Sequence, residues 1–258
     1  MPVFGQRHSA LERTSRTLRL GNDVPVMLVV PEENEAPTPL LIWMHGRTAD
    51  KELDPGRYLR LMRRGIASCS IDLPGHGERF DDLSHEPAAV LAIVEQMAEE
   101  LDDVVEDLRQ LGEFDPDRIA IGGISAGGIA ALVRCCSPHP FAAITLEATT
   151  GNLEHRASAA FADPDRLKRL DPINHLDQWR EIPVLALHNQ LDEWIDVEGQ
   201  RTFIEALRSH YEDPEDVLFH VYEEPTGAPF EHAGFGRLSA DSKARQVAFL
   251  ESAFGICP

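Results

Sequence analysis

Short apolar runs open the chain and are separated by turn-forming residues. Residues 17–20 and 24–30 form two such runs, and Gly21-Asn-Asp23 between them has the composition of a hairpin turn. Residues 40–44 are apolar throughout, which indicates a strand buried on both faces of a parallel sheet. The pattern predicts antiparallel strands at the N-terminal edge, followed by entry into a parallel sheet.

Strand-like and helical patterns alternate through the rest of the chain. Further strands are predicted at residues 67–72, 118–121, 141–146, 182–188 and 217–222. Helices are predicted at residues 58–64, 87–111, 197–210 and 239–254, and one more from a glycine-rich turn to Cys135. The alternation predicts an α/β fold, with a mainly parallel sheet of about eight strands and helices on both faces.

Residues 151–180 interrupt this alternation. They are polar, are broken by Pro164 and Pro172, and have no strand character. We expect them to form a small helical cap or a long loop. A chain of 258 residues needs no second domain, so residues 1–258 are predicted to form one domain that carries this segment.

The charge balance excludes several classes of partner. The formal net charge of -20 would repel phosphates, which argues against nucleic acids and anionic membrane surfaces and disfavours anionic substrates unless a local cation binds them. Among the 24 basic residues, the lysines are Lys51, Lys168 and Lys243. The N-terminal residues lack the apolar core of a signal peptide, and no run is long enough for a membrane span, so we expect a cytoplasmic protein.

The cysteines follow no metal-binding spacing. Cys69, Cys135, Cys136 and Cys257 include no C-x-x-C pair, which favours reduced thiols. There is also no zinc-protease or phosphate-loop motif, so the sequence predicts neither a metal nor an organic cofactor. A homodimer is compatible with these features.

The candidate chemistry begins at a Gly-x-Ser-x-Gly pentapeptide. Gly123-Ile-Ser-Ala-Gly127 lies between the predicted strand at 118–121 and a helix rich in small residues. A strand that turns abruptly into a helix holds its turning residue in a cramped backbone conformation, and flanking glycines make this possible. The pattern predicts Ser125 as an exposed nucleophile, although a glycine-rich turn without catalytic function has the same composition.

A serine nucleophile needs a base and a group that orients the base. Asp192 follows the predicted strand at 182–188, and His232 lies in the glycine-containing loop after the last strand. Both positions are at the carboxyl ends of strands, where ligands bind in parallel sheets. Alternatives remain at this point: Glu193 and Asp196 for the acid, and His188 and His220 among the histidines at or within strands.

The sequence resembles the α/β-hydrolase superfamily, whose members carry Ser, Asp and His in this chain order. It is most similar to serine hydrolases related to dienelactone hydrolases and to the catalytic domain of prolyl oligopeptidases. The resemblance runs from about residue 24 to the end; it is carried by His45-Gly46, Asp72-Leu-Pro-Gly-His-Gly77 and Phe114-Asp-Pro-Asp-Arg-Ile119. Two departures are a serine where dienelactone hydrolases have cysteine, and Asn189 where the family usually has glycine.

The resemblance implies an α/β-hydrolase fold and an oxyanion hole formed by the backbone N–H groups of Ala126 and Arg47. It implies a serine hydrolase that cleaves small carboxylic esters through an acyl-enzyme. Hydrolysis of small amides or peptides by the same triad, and a non-catalytic binding protein with this fold, remain alternatives. Aromatic residues in loops and in the predicted cap are candidates for a substrate pocket: Phe80, Phe161, Trp179, Trp194 and Phe230.

Overall fold

The apolar run at residues 40–44 becomes a central strand of an eight-stranded sheet. The structure is a computed structural model that describes residues 9–32, 37–155 and 163–256. Its strands are β1 (Ser15–Leu20), β2 (Val24–Val29), β3 (Thr38–Met44), β4 (Ala67–Ile71), β5 (Phe114–Ile124), β6 (Ala143–Glu147), β7 (Val184–Asn189) and β8 (Val217–Tyr222). Its α-helices are α1 (Ser9–Thr14), α2 (Pro55–Met62), α3 (Val90–Gln110), α4 (Ala126–Cys135), α5 (Pro164–Leu170), α6 (Val197–Arg208), α7 (Glu231–Gly234) and α8 (Ser239–Ala253).

The sheet has the order β1-β2-β4-β3-β5-β6-β7-β8. Strands β1 and β2 pair antiparallel, β2 pairs antiparallel with β4, and the pairs from β4 through β8 are parallel. The predicted α/β architecture, with antiparallel strands at its N-terminal edge, is therefore confirmed. The carboxyl ends of the parallel strands lie along one edge of the sheet, which brings their loops together.

Alternate side chains of β3 divide the core into two layers. Leu40, Ile42 and Met44 pack with α3 and α4 on one face, whereas Leu41 and Trp43 pack with α2 and α8 on the other. All seven residues of β3 are buried, as its continuous apolar run requires. The edge of the sheet where β3 ends is therefore flanked by α3 and α4 on one side and by α2 and α8 on the other.

Helix boundaries differ from the predicted ones by a few residues. The predicted helix at 87–111 begins at Val90, because Pro87–Ala89 form a 3₁₀ turn. Its buried stripe includes Val94, Met97 and Leu101, in keeping with the helical spacing of the apolar residues. The predicted strand at 118–121 is longer, Phe114–Ile124.

Within the described residues, no helix is both long enough and apolar enough to cross a bilayer.

The described parts of the predicted cap pack along the side of the domain. Helix α5 is followed by a 3₁₀ segment, Pro172–Gln178. Arg166 donates a hydrogen bond to Glu95 of α3 at 2.9 Å, and the buried carboxylate of Asp171 accepts from the backbone N–H of Leu153 at 2.9 Å. The first contact joins α5 to α3, and the second joins the end of α5 to residues 151–155.

Candidate active site

Ser125 occupies a strained turn between β5 and α4. Its φ of 54° and ψ of -122° lie where side-chain-bearing residues are uncommon. Gly127 allows the turn to form, because a Cβ at that position would lie 2.4 Å from the carbonyl oxygen of Met44. The backbone N–H of Ser125 donates to the carbonyl of Glu147 at 3.0 Å, which joins the turn to the end of β6. The conformation presents the Ser125 hydroxyl at the carboxyl edge of the sheet.

The side chains of Ser125, His232 and Asp192 form a continuous hydrogen-bonded chain. Ser125 Oγ lies 3.0 Å from His232 Nε2, and His232 Nδ1 lies 2.7 Å from Asp192 Oδ2. Because an ionised carboxylate only accepts hydrogen bonds, Nδ1 carries the ring proton and Nε2 accepts from the serine hydroxyl. In this tautomer, Nε2 can take the proton of Ser125.

Asp192 is held by the turn that follows β7. Its Oδ1 accepts hydrogen bonds from the backbone N–H groups of Trp194 and Ile195, at 3.0 and 2.8 Å. This leaves Oδ2 directed at His232. His188, a rival base, is buried, and its Nε2 contacts the carbonyl oxygen of Ile195 at 2.9 Å. Burial lowers the pKa of His188.

The two rival acids have other contacts. Asp196 caps the N-terminus of α6, where its side chain accepts from the backbone N–H of Glu198 at 3.1 Å. Glu193 accepts from the backbone N–H of Glu231 at 2.9 Å and from that of His232 at 3.2 Å. Glu193 therefore links the loop that carries Asp192 to the short helix that carries His232.

Asn189 adds a second link between these loops. Its Nδ2 donates to Glu231 Oε2 at 2.9 Å, and its Oδ1 accepts from the backbone N–H of Leu191 at 2.9 Å. Asn189 stands where the family usually has glycine, but it is absent from the described residues with positive φ. Its side chain closes the turn instead, and it also binds the histidine loop.

The two predicted oxyanion donors belong to residues that line the same cavity as Ser125. Ala126 is the first residue of α4, so its N–H has no acceptor within the helix. The loop after β3 passes directly beside the nucleophile, since a Cβ on Gly46 would lie 3.3 Å from that of Ser125. Arg47 follows Gly46, and its side chain donates to the carbonyl of His85 at 2.9 Å. That contact turns the guanidinium toward the 3₁₀ turn Leu83–His85.

His45 supports the same loop from within the core. Its Nε2 accepts from the backbone N–H of Leu73 at 3.1 Å, so its Nδ1 carries the proton and donates to the carbonyl of Gly46 at 2.7 Å. Burial lowers the pKa of His45 to about 4. The ring is therefore neutral near pH 7, as these two hydrogen bonds require.

A cavity of about 900 Å³ opens beside Ser125 and His232. One end is lined by apolar residues of the α3 and α4 side, including Pro87, Val90 and Ile129. The other end lies between α2 and α8, where Trp43 and Tyr58 line the wall together with four charged residues: Asp54, Arg57, Glu147 and Lys243. The cavity thus spans the edge of the sheet, with the hydroxyl of Ser125 between two chemically different ends.

The predicted pocket aromatics fall into different places. Trp194 lines the cavity, and its ring centroid lies 4.9 Å from that of His232. Phe230 is exposed and lies beside Trp194, with 5.7 Å between the ring centroids. Phe80 is exposed and lies beside His85, with 4.7 Å between the ring centroids. Neither phenylalanine is among the described residues that line the cavity. Phe161 lies outside the described residues.

Trp179 and the rest of the described 151–180 segment do not reach the cavity, contrary to the expectation of a cap over it. Trp179 is a core residue, and its indole N–H donates to the hydroxyl of Tyr211 at 2.8 Å. Trp179 directly follows the 3₁₀ segment Pro172–Gln178, and the core buries its ring against Phe203 of α6 while its N–H is satisfied.

Sequence reasoning missed the charged end of the cavity. Glu147 was detectable, since it directly follows the predicted strand at 141–146 and therefore lies at the functional edge of the sheet. Arg57 and Lys243 lie on helices far apart in the sequence and carry no local signal. Within the described ranges, no group of three or more His, Cys, Asp or Glu side chains is arranged to hold a metal ion.

The chain is similar to known proteins in both sequence and fold. A model of the alpha/beta hydrolase family matches residues 40–244. YitV of Bacillus subtilis (strain 168), provisionally named as an esterase, is 26% identical over 218 residues, which cover 76% of this chain and 86% of that protein. Esterase YjfP of Escherichia coli (strain K12) is 24% identical over 203 residues, which cover 72% of this chain and 81% of that protein.

Solved structures share the fold. A puromycin-hydrolyzing peptidase of Mycobacterium tuberculosis superposes with a TM-score of 0.75 at 20% identity, over 99% of this chain and 42% of that one. A protein of Klebsiella pneumoniae subsp. pneumoniae MGH 78578, provisionally named as a dienelactone hydrolase, superposes with a TM-score of 0.70 at 18% identity. The superposition covers 92% of this chain and 97% of that one. A prolyl endopeptidase superposes with a TM-score of 0.74 at 18% identity, over 94% of this chain and 38% of that one. The predicted resemblance to dienelactone hydrolases and prolyl oligopeptidases is thus confirmed at the level of the fold.

Proposed function

Because this chain belongs to the alpha/beta hydrolase family, we propose that it is a serine hydrolase that cleaves small carboxylic esters. The observation that carries the proposal is the contact of Ser125 Oγ with His232 Nε2 at 3.0 Å, in a chain that continues to Asp192. Esterase names among the relatives support the choice of esters. Cytoplasmic location remains a prediction from the sequence.

Acylation follows from the tautomer of His232. Ser125 Oγ attacks the ester carbonyl carbon while Nε2 takes the hydroxyl proton, and Asp192 stabilises the imidazolium that forms. The backbone N–H groups of Ala126 and Arg47 bind the developing alkoxide, a contribution that typically reaches a hundredfold or more in rate per donor. The C–O bond to the alcohol then breaks, and His232 returns the proton to the leaving alcohol.

Deacylation repeats the sequence with water. His232 Nε2 takes a proton from water as the oxygen attacks the acyl carbon, and the same two N–H groups bind the alkoxide. The bond to Ser125 Oγ breaks, the serine recovers its proton from His232, and the carboxylic acid leaves. The cavity beside Ser125, with Trp194 in its wall, is the proposed substrate pocket.

The proposal is tested with a fluorophosphonate probe, which reacts with activated serines. We expect the folded wild-type protein to be labelled and Ser125→Ala to be unlabelled. Ser252→Ala is the matched control, because Ser252 is exposed on α8 and should leave labelling intact. A folded wild-type protein that stays unlabelled would contradict catalysis and favour a binding protein; labelling of Ser125→Ala would identify a different nucleophile.

Ester and amide substrates are separated by kinetics. The first step is identical for both, so the triad by itself does not choose between them. We expect kcat/KM for p-nitrophenyl acyl esters to exceed that for aminoacyl p-nitroanilides with matched side chains. Faster turnover of the anilides would reassign the protein to amide hydrolysis while retaining the nucleophile.

A further inference from the structure

The charged end of the cavity is built from one row of ionic contacts. Glu147 pairs with Arg57 at 2.7 Å, Arg57 pairs with Asp54 at 3.0 Å, and Asp54 pairs with Lys243. The side chains of Arg57, Glu147 and Lys243 are 3%, 2% and 9% exposed. Burying such ions is costly and is weak evidence for a purely stabilising role, so their position in the cavity wall calls for another explanation.

Arg57 has no donor left for a substrate. A guanidinium has five N–H groups. Its Nε donates to Asp54 at 3.0 Å, Nη1 donates to Glu147 at 3.0 Å and to Gln246 at 2.5 Å, and Nη2 donates to Glu147 at 2.7 Å and faces Asp54 at 3.0 Å. The Cζ atom of Arg57 also lies 3.7 Å from the ring centroid of Trp43. Arg57 is therefore a fixed part of the wall.

Lys243 differs from Arg57 in its unused donors. Its ammonium carries three N–H groups, and Asp54 is its carboxylate partner within the part of the chain that the structure describes. Asp54 is itself shared with Arg57, so Lys243 is the cation of this row with hydrogen-bonding capacity to spare. Both carboxylates of the row face cations, which leaves no uncompensated anion to repel an incoming oxygen.

A substrate group that enters this end displaces solvent from Lys243. An oxygen acceptor would satisfy the freed N–H groups, whereas an alkyl group would leave them unpaired, and a buried unpaired donor is strongly unfavourable. Sites built to hydrogen-bond a substrate group discriminate against analogues that lack it more sharply than apolar pockets do. The charged end of the cavity therefore favours a substrate with an oxygen acceptor over one with an alkyl group at the same place.

We infer that Lys243 is a specificity-determining residue that binds a hydrogen-bond-accepting oxygen of the substrate, remote from the scissile bond. This inference rests on the proposed function, because it assigns a substrate class to the same cavity. The preferred substrates are esters with a carboxylate or carbonyl oxygen at the far end of one arm. An unsubstituted alkyl ester lacks the group that Lys243 binds.

The test compares matched esters. In the acyl series, p-nitrophenyl hexanoate is compared with p-nitrophenyl 5-oxohexanoate and mono-p-nitrophenyl glutarate, which separate a neutral from an anionic acceptor. In the alcohol series, the butyrate ester of pentan-1-ol is compared with that of 5-hydroxypentan-2-one. For each pair, the measured quantity is kcat/KM for the acceptor-bearing ester divided by kcat/KM for its alkyl analogue. We expect Lys243→Met to reduce this ratio by roughly tenfold or more in one of the two series, the one whose substituted arm reaches Lys243.

Two further variants make the test decisive. Lys168→Met is the matched control, because Lys168 is exposed on α5, and it should leave the ratio unchanged. Asp54→Asn/Lys243→Met removes one charge of each sign, so it avoids the excess buried negative charge that Lys243→Met alone leaves on Asp54 and Glu147, and it is used where the single variant fails to fold. The double variant should show the same reduced ratio.

The outcomes separate this inference from the proposed function. A ratio that is unchanged in both series by every folded variant at Lys243, while hydrolysis still depends on Ser125, overturns the role of Lys243 and leaves the serine hydrolase intact. Absence of any hydrolysis that depends on Ser125 overturns both. A reduced ratio for the glutarate ester alone supports the role and restricts the substrate to anions.

Discussion

The carboxylate of Glu193 holds the helix that carries His232, through the backbone N–H of His232 at 3.2 Å. Glu193 Oε2 also accepts from the N–H of Glu231 at 2.9 Å, so one oxygen binds both donors at the start of α7. The residue that precedes it in the chain, Asp192, orients the imidazole of the same histidine. Two consecutive acids therefore hold the backbone and the side chain of His232.

Glu193→Ala is expected to lower kcat by roughly ten- to a hundredfold with little change in KM, because a shift of the imidazole by about 1 Å disrupts proton transfer from Ser125. Glu193→Gln should recover most of the loss, since one amide oxygen can accept both N–H groups. Steady-state kinetics on a p-nitrophenyl ester measures both. Glu205→Ala, an exposed position on α6, is the control. Equal activity of Glu193→Ala and the wild type would show that α7 is held without Glu193.

Asp192→Asn should lower kcat by roughly 10⁴-fold, in line with the known effect of an incorrect histidine tautomer. The N–H groups of Trp194 and Ile195 require an acceptor, so the amide oxygen takes the place of Oδ1. The amide NH₂ then faces His232 Nδ1 and favours a proton on Nε2. In that tautomer the ring does not accept the proton of Ser125.

Asp196→Asn is the matched control for Asp192→Asn. Asparagine caps helices about as well as aspartate, so this variant should keep its fold and lose little activity. Steady-state kinetics measures the activity of both variants, and thermal melting followed by circular dichroism measures whether both are folded. If Asp196→Asn were as inactive as Asp192→Asn, the assignment of the orienting acid would be wrong.

His45 should make the protein less stable in mild acid. Burial lowers its pKa to about 4 in the folded protein, below the usual value of 6.5. Between those two pH values the unfolded chain binds more protons than the folded protein does. The stabilising contribution of the neutral, buried imidazole is therefore complete above pH 6.5 and is lost as the pH falls toward 4. The largest expected loss in the free energy of unfolding is about 3 kcal/mol.

Urea denaturation between pH 7 and pH 4.5 measures this effect as a slope. His45→Gln should show a shallower decline of the free energy of unfolding than the wild type, while the exposed His210→Gln should parallel the wild type. Asp72 and His76 face His45, so the comparison uses the difference between slopes. Parallel slopes for all three proteins would exclude His45 as the source.

The sequence by itself determined the order of strands and helices and the positions of the candidate nucleophile, base and acid. These features have local signals. The spacing of apolar residues marks which face of a helix or strand is buried, as in α3 and β3, and Gly123 and Gly127 mark a turn whose backbone leaves no room for a Cβ.

Tertiary structure decided which residues share a cavity and what each carboxylate binds. Asp192 and Glu193 are adjacent and chemically alike, and the turn after β7 alone directs one to the imidazole and the other to the backbone. Trp179 and Trp194 both read as pocket residues, yet the first is buried in the core. Lys243 meets Asp54 only because α8 packs on α2, and such contacts depend on packing between distant segments rather than on any local pattern.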